Sequence, residues 1–250
     1  MSSYFPIFDL EVLGNFPKSI FEINTEIQEP HELSEIMSKY NSDKGYGLCQ
    51  DFINNNKYPP NFVCHNYTHF YSQLFSQYRN ENLTIFEMGV GSPACMGVGS
   101  WAGSLLGWKE YFPNSVIFSA DYDRDYLYCD EKITSYYVNQ ECGDSINNDL
   151  WSKLEDYKFD IMIDDGPHTY SSNILFYKIS IHKLKTNGIY VIEDINLDFI
   201  NQLYDEILEY NKDNSINCNI IKLIIPYPTK FTNPSPTILK MNNLIILQKL

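Results

Sequence analysis

Residues 83–91 read Leu-Thr-Ile-Phe-Glu-Met-Gly-Val-Gly, an apolar run that ends in an acid and two glycines. A short β-branched and aromatic run that stops at glycines is the pattern of a buried strand entering a tight turn. Three later stretches share the design: VIFSADYD at 116–123, FDIMIDDGPH at 159–168 and NGIYVIEDI at 187–195. Helix-like stretches lie between them, notably SSNILFYKISIHKLKTN at 171–187. Continuous apolar runs alternating with helical patterns predict an α/β sheet of buried parallel strands. The chain closes with NIIKLIIPYP at 219–228 and TILKMNNLIILQKL at 237–250, separated by the turn-rich TKFTNPSP at 229–236. That arrangement predicts a terminal antiparallel hairpin.

The first 80 residues differ. HELSEIMSKYNSDKG at 31–45 and NYTHFYSQLFSQYRN at 66–80 space their apolar residues by three and four, as short amphipathic helices do. QDFINNNKYPPNF at 50–62 is rich in Asn and Pro and reads as a loop. The organisation predicted is a helical N-terminal segment, residues 1–80, and an α/β domain, residues 81–250. There is no internal repeat and no low-complexity tail.

Composition narrows the function classes. The 250 residues suit one or two domains, and 44% hydrophobic residues are ample for a core. Eighteen basic against 32 acidic residues give a net charge of −14, which argues against a nucleic-acid binder and against docking on anionic membranes. No apolar run approaches the roughly 20 residues that span a bilayer, and the start lacks the basic and apolar regions of a signal peptide. The six cysteines form no C-x-x-C pair, so reduced thiols and a cytoplasmic location are expected.

The polar strand ends carry the functional signal. Four consecutive strands end in acids: Glu87, Asp121 with Asp123, Asp164 with Asp165, and Glu193 with Asp194. Ligands of open α/β sheets bind at the carboxyl ends of the strands. Taken singly, Asp165-Gly166 is also a common turn and Asp194 a plausible helix cap. Glu87, Gly89 and Gly91 form an E-x-G-x-G turn whose glycines let backbone approach a ligand, and Asp121 or Asp123 suits a grip on ribose hydroxyls. Gly91 is followed by Ser92, Pro93 and Ala94, so the dinucleotide fingerprint G-x-G-x-x-G is broken and NAD is disfavoured. Neighbouring strands lie about 5 Å apart, so Asp165, Glu193 and Asp194 can converge on one hard divalent cation such as Mg²⁺. His168, three residues past Asp165, stands beside that position as a base usable near neutral pH.

These residues resemble those of class I S-adenosylmethionine-dependent methyltransferases. More narrowly, the chain resembles the metal-dependent O-methyltransferases of macrolide deoxysugars and of bacterial surface or nucleotide-linked sugars. The matching pieces are SDKG at 42–45, HNYTHFY at 65–71, IFEMGVGS at 85–92, GSLLGWKEYFP at 103–113, SADYDRD at 119–125, FDIMIDDGPH at 159–168 and GIYVIEDI at 188–195. The pair DDG-x-H and IED is the specific part, whereas E-x-G-x-G is general to class I methyltransferases. The resemblance implies a Rossmann-like, mostly parallel seven-stranded sheet with a C-terminal antiparallel hairpin. It implies S-adenosylmethionine and Mg²⁺ (or another hard divalent cation) as cofactors. Metal ligation falls on Asp165, Glu193 and Asp194, with His168 as base and Asp165 beside it in the catalytic pair. Cofactor contacts fall on Glu87, Gly89, Gly91, Ser104, Asp121, Asp123, Gln140, Asp164 and Tyr67. Asn139 departs from the Asp-Gln pair usual beside the adenine, and Pro167 replaces a small residue in DDG-x-H. Lys44, His65 and Tyr67 belong to an N-terminal segment that closes over the site or serves as an oligomer arm.

The activity implied is methylation of a hydroxyl on a sugar or nucleotide-sugar acceptor, as in surface-polysaccharide biosynthesis, by a possible homo-oligomer that binds neither nucleic acid nor membrane. The alternatives are a catechol-type metal-dependent O-methyltransferase and a non-catalytic scaffold of the same fold.

Overall fold

The structure is a computed structural model that describes residues 9–11, 31–45, 65, 67–91, 101–139, 149–224 and 240–250. Gln140, the loop at 50–62 and the linker at 229–236 lie outside the described residues. The strands are β1 (Asp9–Glu11), β2 (Thr84–Met88), β3 (Val116–Asp121), β4 (Ile133–Tyr137), β5 (Phe159–Asp164), β6 (Leu184–Ile192), β7 (Cys218–Ile224) and β8 (Asn243–Lys249). The helices are α1 (Glu32–Lys39), α2 (Tyr67–Phe75), α3 (Gly103–Tyr111), the single turn α4 (Trp151–Lys153), α5 (Tyr170–Ser180) and α6 (Ile200–Asp213).

One sheet runs β1-β7-β8-β6-β5-β2-β3-β4. The strands β4, β3, β2, β5 and β6 are parallel, and β8 lies antiparallel between β6 and β7. The expected hairpin is therefore present, and setting β1 aside leaves the expected seven strands. The eighth, β1, adds a three-residue antiparallel edge on β7 that no sequence signal marked. Strand order reverses at β2, whose neighbours are β3 and β5, so the position at which open α/β sheets bind ligands falls at the carboxyl end of β2.

Strand alternation sorts the core into two layers. Ile85, Ile117, Ile161, Ile163, Ile189 and Val191 face the layer of α1, α2 and α3. Phe86, Phe118, Met162, Tyr190 and Ile192 face α4, α5 and α6. The helices at 32–39 and 67–75 thus share an apolar layer with α3 and the sheet. Met37 of α1 is fully buried, and its sulfur lies 2.4 Å from where a Cβ on Gly107 of α3 would stand. The absence of a side chain at 107 lets α1 pack there.

One boundary differs from the sequence reading. The helical pattern at 171–187 ends as helix at Ser180, and β6 already begins at Leu184. Leu184 pairs with Phe159, and the register then shifts so that Ile161 meets Ile189, with Asn187 in the left-handed region at φ 64°. Lys185–Gly188 is thus an irregularity inside a strand, and periodicity does not announce it. No helix among the described residues is long and apolar enough to cross a membrane. Cys129 and Cys218 are free thiols, and the other four cysteines lie outside the described residues.

If α1 is part of the core, Met37→Ala should lower the unfolding free energy by about 2–5 kcal/mol. Chemical denaturation measures this; a loss within experimental error would show that α1 is not packed on α3.

Candidate active site

In-register pairing sets the acids in a row. Gly89 N donates to Ala120 O at 2.8 Å, Asp165 N to Met88 O at 3.0 Å and Glu193 N to Asp164 O at 3.0 Å, so β3, β2, β5 and β6 end level. Alternation then divides the acids between faces. Glu87, Asp121 and Glu193 follow the positions facing α1–α3. Asp164 follows Met162 onto the opposite face, where its Oδ2 accepts from Asn173 Nδ2 at 2.9 Å. Asp164, expected among the cofactor contacts, is thereby committed to the β5–α5 turn. Burial pushes its pKa up to about 6, against the hydrogen bond from Asn173.

The glycine turn matches its sequence reading. Gly89 and Gly91 take φ of 94° and 75°, conformations that side chains disfavour. A Cβ on Gly89 would stand 2.1 Å from the carbonyl oxygen of Asp165, so the approach of the two backbones leaves no room for a side chain at 89. Asp121 binds this turn to the end of β3: its Oδ2 accepts from Val90 N and its Oδ1 from Asp123 N, both at 2.9 Å. Asp123 caps the short 3₁₀ turn Arg124–Tyr126 by accepting from Asp125 N at 3.0 Å. Of the two candidates for a ribose grip, Asp121 is the one joined to the glycine turn.

Glu87 lies beneath the turn with no exposed surface. Its oxygens accept from Ser104 Oγ at 2.8 Å and Trp108 Nε1 at 2.6 Å, both on α3. Burial raises its pKa to about 7 although the Lys44 ammonium, 3.5 Å away, opposes the rise. Ser104 and Glu87 therefore support the turn from within.

The second half gathers Asp165, His168 and Asp194, each offering a ligand atom within 4.8 Å of the others. His168 Nε2 lies 3.7 Å from Asp165 Oδ1 and 3.6 Å from Asp194 Oδ2. Each aspartate gives its other oxygen to a buried group: Asp165 Oδ2 accepts from Lys44 Nζ at 2.6 Å, and Asp194 Oδ1 from Tyr67 Oη at 2.5 Å. Tyr67, expected among the cofactor contacts, thus acts on the acid pair. It stacks on His65 with ring centroids 4.5 Å apart, and His65 Nδ1 meets Asn242 Oδ1 at 2.8 Å. Glu193, expected as the third metal carboxylate, turns both oxygens elsewhere, to Lys44 Nζ and to Tyr71 Oη. It is 1% exposed, and without those donors burial of its charge would be prohibitive. Its pKa stands well above the usual carboxylate range because of burial, which Lys44 partly offsets. Asp165 shows the reverse balance: burial would raise it, but Lys44 and His168 hold it below the ordinary value.

Local backbone shapes this edge. His168 and Asp194 are both left-handed, at φ 55° and 53°, which costs roughly 1–3 kcal/mol each. His168 is held between Pro167 and the capping box of α5, in which Thr169 Oγ1 accepts from Ser172 N and Ser172 Oγ from Thr169 N, both at 3.1 Å. Asp194 is clamped by Tyr67, whose hydroxyl also accepts from Asp194 N at 3.2 Å. His168 is a quarter exposed, and its Nδ1 has no hydrogen-bond partner among the described residues. Tyr71, Trp108, Asn173 and Asn242 were not anticipated. Only Tyr67 and Tyr71, four apart on one helix face, left a signal that spacing could have raised.

No family model matches the chain. It is 29% identical over 138 residues to the 8-demethyl-8-alpha-L-rhamnosyl tetracenomycin-C 2'-O-methyltransferase of Streptomyces olivaceus, covering 54% of this chain and 34% of that one. It is 29% identical over 166 residues to the mycinamicin VI 2''-O-methyltransferase of Micromonospora griseorubida, covering 66% and 36%. The chain spans about a third of the length of these relatives. Among solved structures it is similar to the MycE methyltransferase of the mycinamycin pathway, in complex with Mg, SAH and mycinamycin VI. There the TM-score is 0.57 and the identity 22%, over 88% of this chain and 55% of that one. The fold is therefore the class I methyltransferase fold, and the resemblance to sugar O-methyltransferases is borne out.

Asp164 gives a pH test. Its folded pKa of about 6 exceeds the ordinary 3.8, so its stabilising contribution is complete below pH 3.8 and lost as pH rises through 6. Asp164→Asn stays neutral, and Asn173, whose Oδ1 lacks a partner among the described residues, can turn to accept from the new amide. The variant should gain on wild type between pH 4 and 7 by up to about 2–3 kcal/mol. Parallel stability–pH curves would refute the assignment.

Proposed function

We propose that this chain is an S-adenosylmethionine- and Mg²⁺-dependent O-methyltransferase that methylates a hydroxyl of a sugar, free-standing on a nucleotide or attached to a glycan or natural product. The observation that carries this reading is the convergence of Asp165 Oδ1 and Asp194 Oδ2 on His168 Nε2, beside the Gly89–Gly91 turn at the point where strand order reverses. The sugar acceptor is supported by the relatives, whose names specify methylation of rhamnosyl and mycinamicin hydroxyls.

The donor sets fit both groups. Two carboxylate oxygens, partly open to solvent, form a hard site of the kind that holds Mg²⁺ while leaving positions for substrate, and His168 Nε2 stands beside them. A left-handed glycine turn joined to the strand-end Asp121 fits a nucleoside, with backbone at Gly89–Gly91 and the Asp121 carboxylate as ribose partner. When bound, S-adenosylmethionine supplies an electrophilic methyl group, and the divalent ion supplies Lewis-acid polarisation of the acceptor hydroxyl.

The chain's own residues do the rest. Asp165 and Asp194 would hold the ion through the oxygens they keep free, their other oxygens being fixed by Lys44 and Tyr67. His168 Nε2 would accept the hydroxyl proton as the methyl group passes to the acceptor oxygen. The products are a methyl ether and S-adenosylhomocysteine, and the proton leaves His168 to solvent. The left-handed backbone at His168 and Asp194 fixes both groups before any ligand arrives, so much of the rate gain lies in positioning.

In an assay of labelled methyl transfer, with nucleotide sugars and catechols screened in parallel, His168→Ala should lower turnover by about 10²–10⁴-fold while leaving S-adenosylhomocysteine binding nearly intact. Unchanged turnover would remove His168 from the role of base. Exhaustive chelation should abolish activity and Mg²⁺ restore it; activity surviving chelation would refute the metal role. Transfer to catechols but not to sugars would replace the acceptor class.

A further inference from the structure

Lys44 is a lysine placed where lysines are rare. It is 2% exposed, and its ammonium faces three carboxylates. It donates to Asp165 Oδ2 at 2.6 Å and to Glu193 Oε2, and stands 3.5 Å from Glu87 Oε1. An ammonium has three protons to give, and this one meets three acids. The placement is built in by the backbone. Ser42 N donates to Met37 O at 2.9 Å, at the end of α1. His65 N donates to Asp43 O at 2.7 Å, and Thr68 N to Lys44 O at 3.1 Å, at the start of α2. Both helices of the N-terminal layer therefore seat this one side chain.

Two of its three partners, Asp165 and Glu193, belong to the acid edge where a divalent ion is expected, and the third supports the glycine turn. A dication held by Asp165 and Asp194 would lie within a few ångströms of the ammonium, and like charges at that range repel. The carboxylates cannot serve both cations fully.

We propose that Lys44 is a positioning residue that acts as the internal counter-cation of this edge, fixing Asp165 and Glu193 through one oxygen each and, as a like charge, weakening the hold of the edge on a divalent ion. The inference rests on the metal reading of the same site. It explains why Glu193, adjacent to Asp194 in sequence, faces away from the Asp165–His168–Asp194 group.

The test compares full-length wild type, Lys44→Met and Lys44→Arg by thermal unfolding in chelator and in millimolar Mg²⁺, with calorimetric titration of Mg²⁺ alone. Lys44→Met should melt about 5 °C or more below wild type in chelator. Mg²⁺ should then raise its melting temperature by more than it raises that of wild type, and should bind at an about tenfold lower concentration. Lys44→Arg, which keeps the charge, should behave as wild type. A residue that merely anchors the N-terminal layer would instead give the same deficit with and without Mg²⁺. An equal or smaller Mg²⁺ response in Lys44→Met, or weaker Mg²⁺ binding, overturns the proposal. No Mg²⁺ response in wild type overturns the metal reading and this inference with it, so the two failures are distinct. If Lys44→Met does not fold, Lys44→Met/Glu193→Gln decides: removing the opposite charges together should restore a folded, cooperatively melting protein. A double variant that still fails to fold overturns charge compensation.

Discussion

Carboxylates buried side by side repel one another and lose their hydration, and the edge formed by β3, β2, β5 and β6 brings several of them level. The architecture around that edge answers this problem. Glu87 takes two neutral donors from α3, Asp121 takes two backbone N–H groups, and Asp164 is turned to the other face and Asn173. Asp165 and Glu193 share the ammonium of Lys44. The N-terminal helices follow from the same requirement, since the segment between them delivers the cation and α2 delivers the hydroxyls of Tyr67 and Tyr71.

The geometry separates bonded from unbonded oxygens within single side chains. Asp165 and Asp194 each spend one oxygen on a buried donor and present the other toward His168. A carboxylate bound on one side has lost its freedom to rotate, so the remaining oxygen is aimed without help from a ligand. The two left-handed residues are the cost of that aim. Both occur in the turns leaving β5 and β6, where a capping box and a tyrosine clamp outweigh the strain.

Much of this was legible in the sequence, for a definite reason. Strand periodicity and glycine-terminated apolar runs are local signals, so the α/β class, the closing hairpin and the strand-end acids follow from them. Asp165, His168 and Asp194 could be anticipated because adjacent parallel strands bring their ends together. The role of Asp164 could not be read from a DDG turn, although alternation within β5 settles it once the strand is known to end there. Lys44 was visible only as part of a resemblance. Its partners are 43, 121 and 149 positions away in sequence, and no periodicity encodes a contact of that range. The −14 net charge is likewise reinterpreted: at the edge itself, an internal ammonium already neutralises part of the acid that a global sum assigns to the site.

The two halves of the site are also one mechanical unit, and Gly89 is where they join. The turn that would cradle the methyl donor follows β2, and the acid that would hold the metal follows β5. At Gly89 the two backbones come so close that a single added carbon would stand 2.1 Å from the Asp165 carbonyl oxygen. The turn cannot move toward β5 without collision. It cannot readily move away either, because Gly89 N is bound to Ala120 O and Val90 N to Asp121. The separation between donor turn and Asp165 is therefore set by backbone contact and not by adjustable side chains. This contact accounts for why residue 89 has to be a glycine.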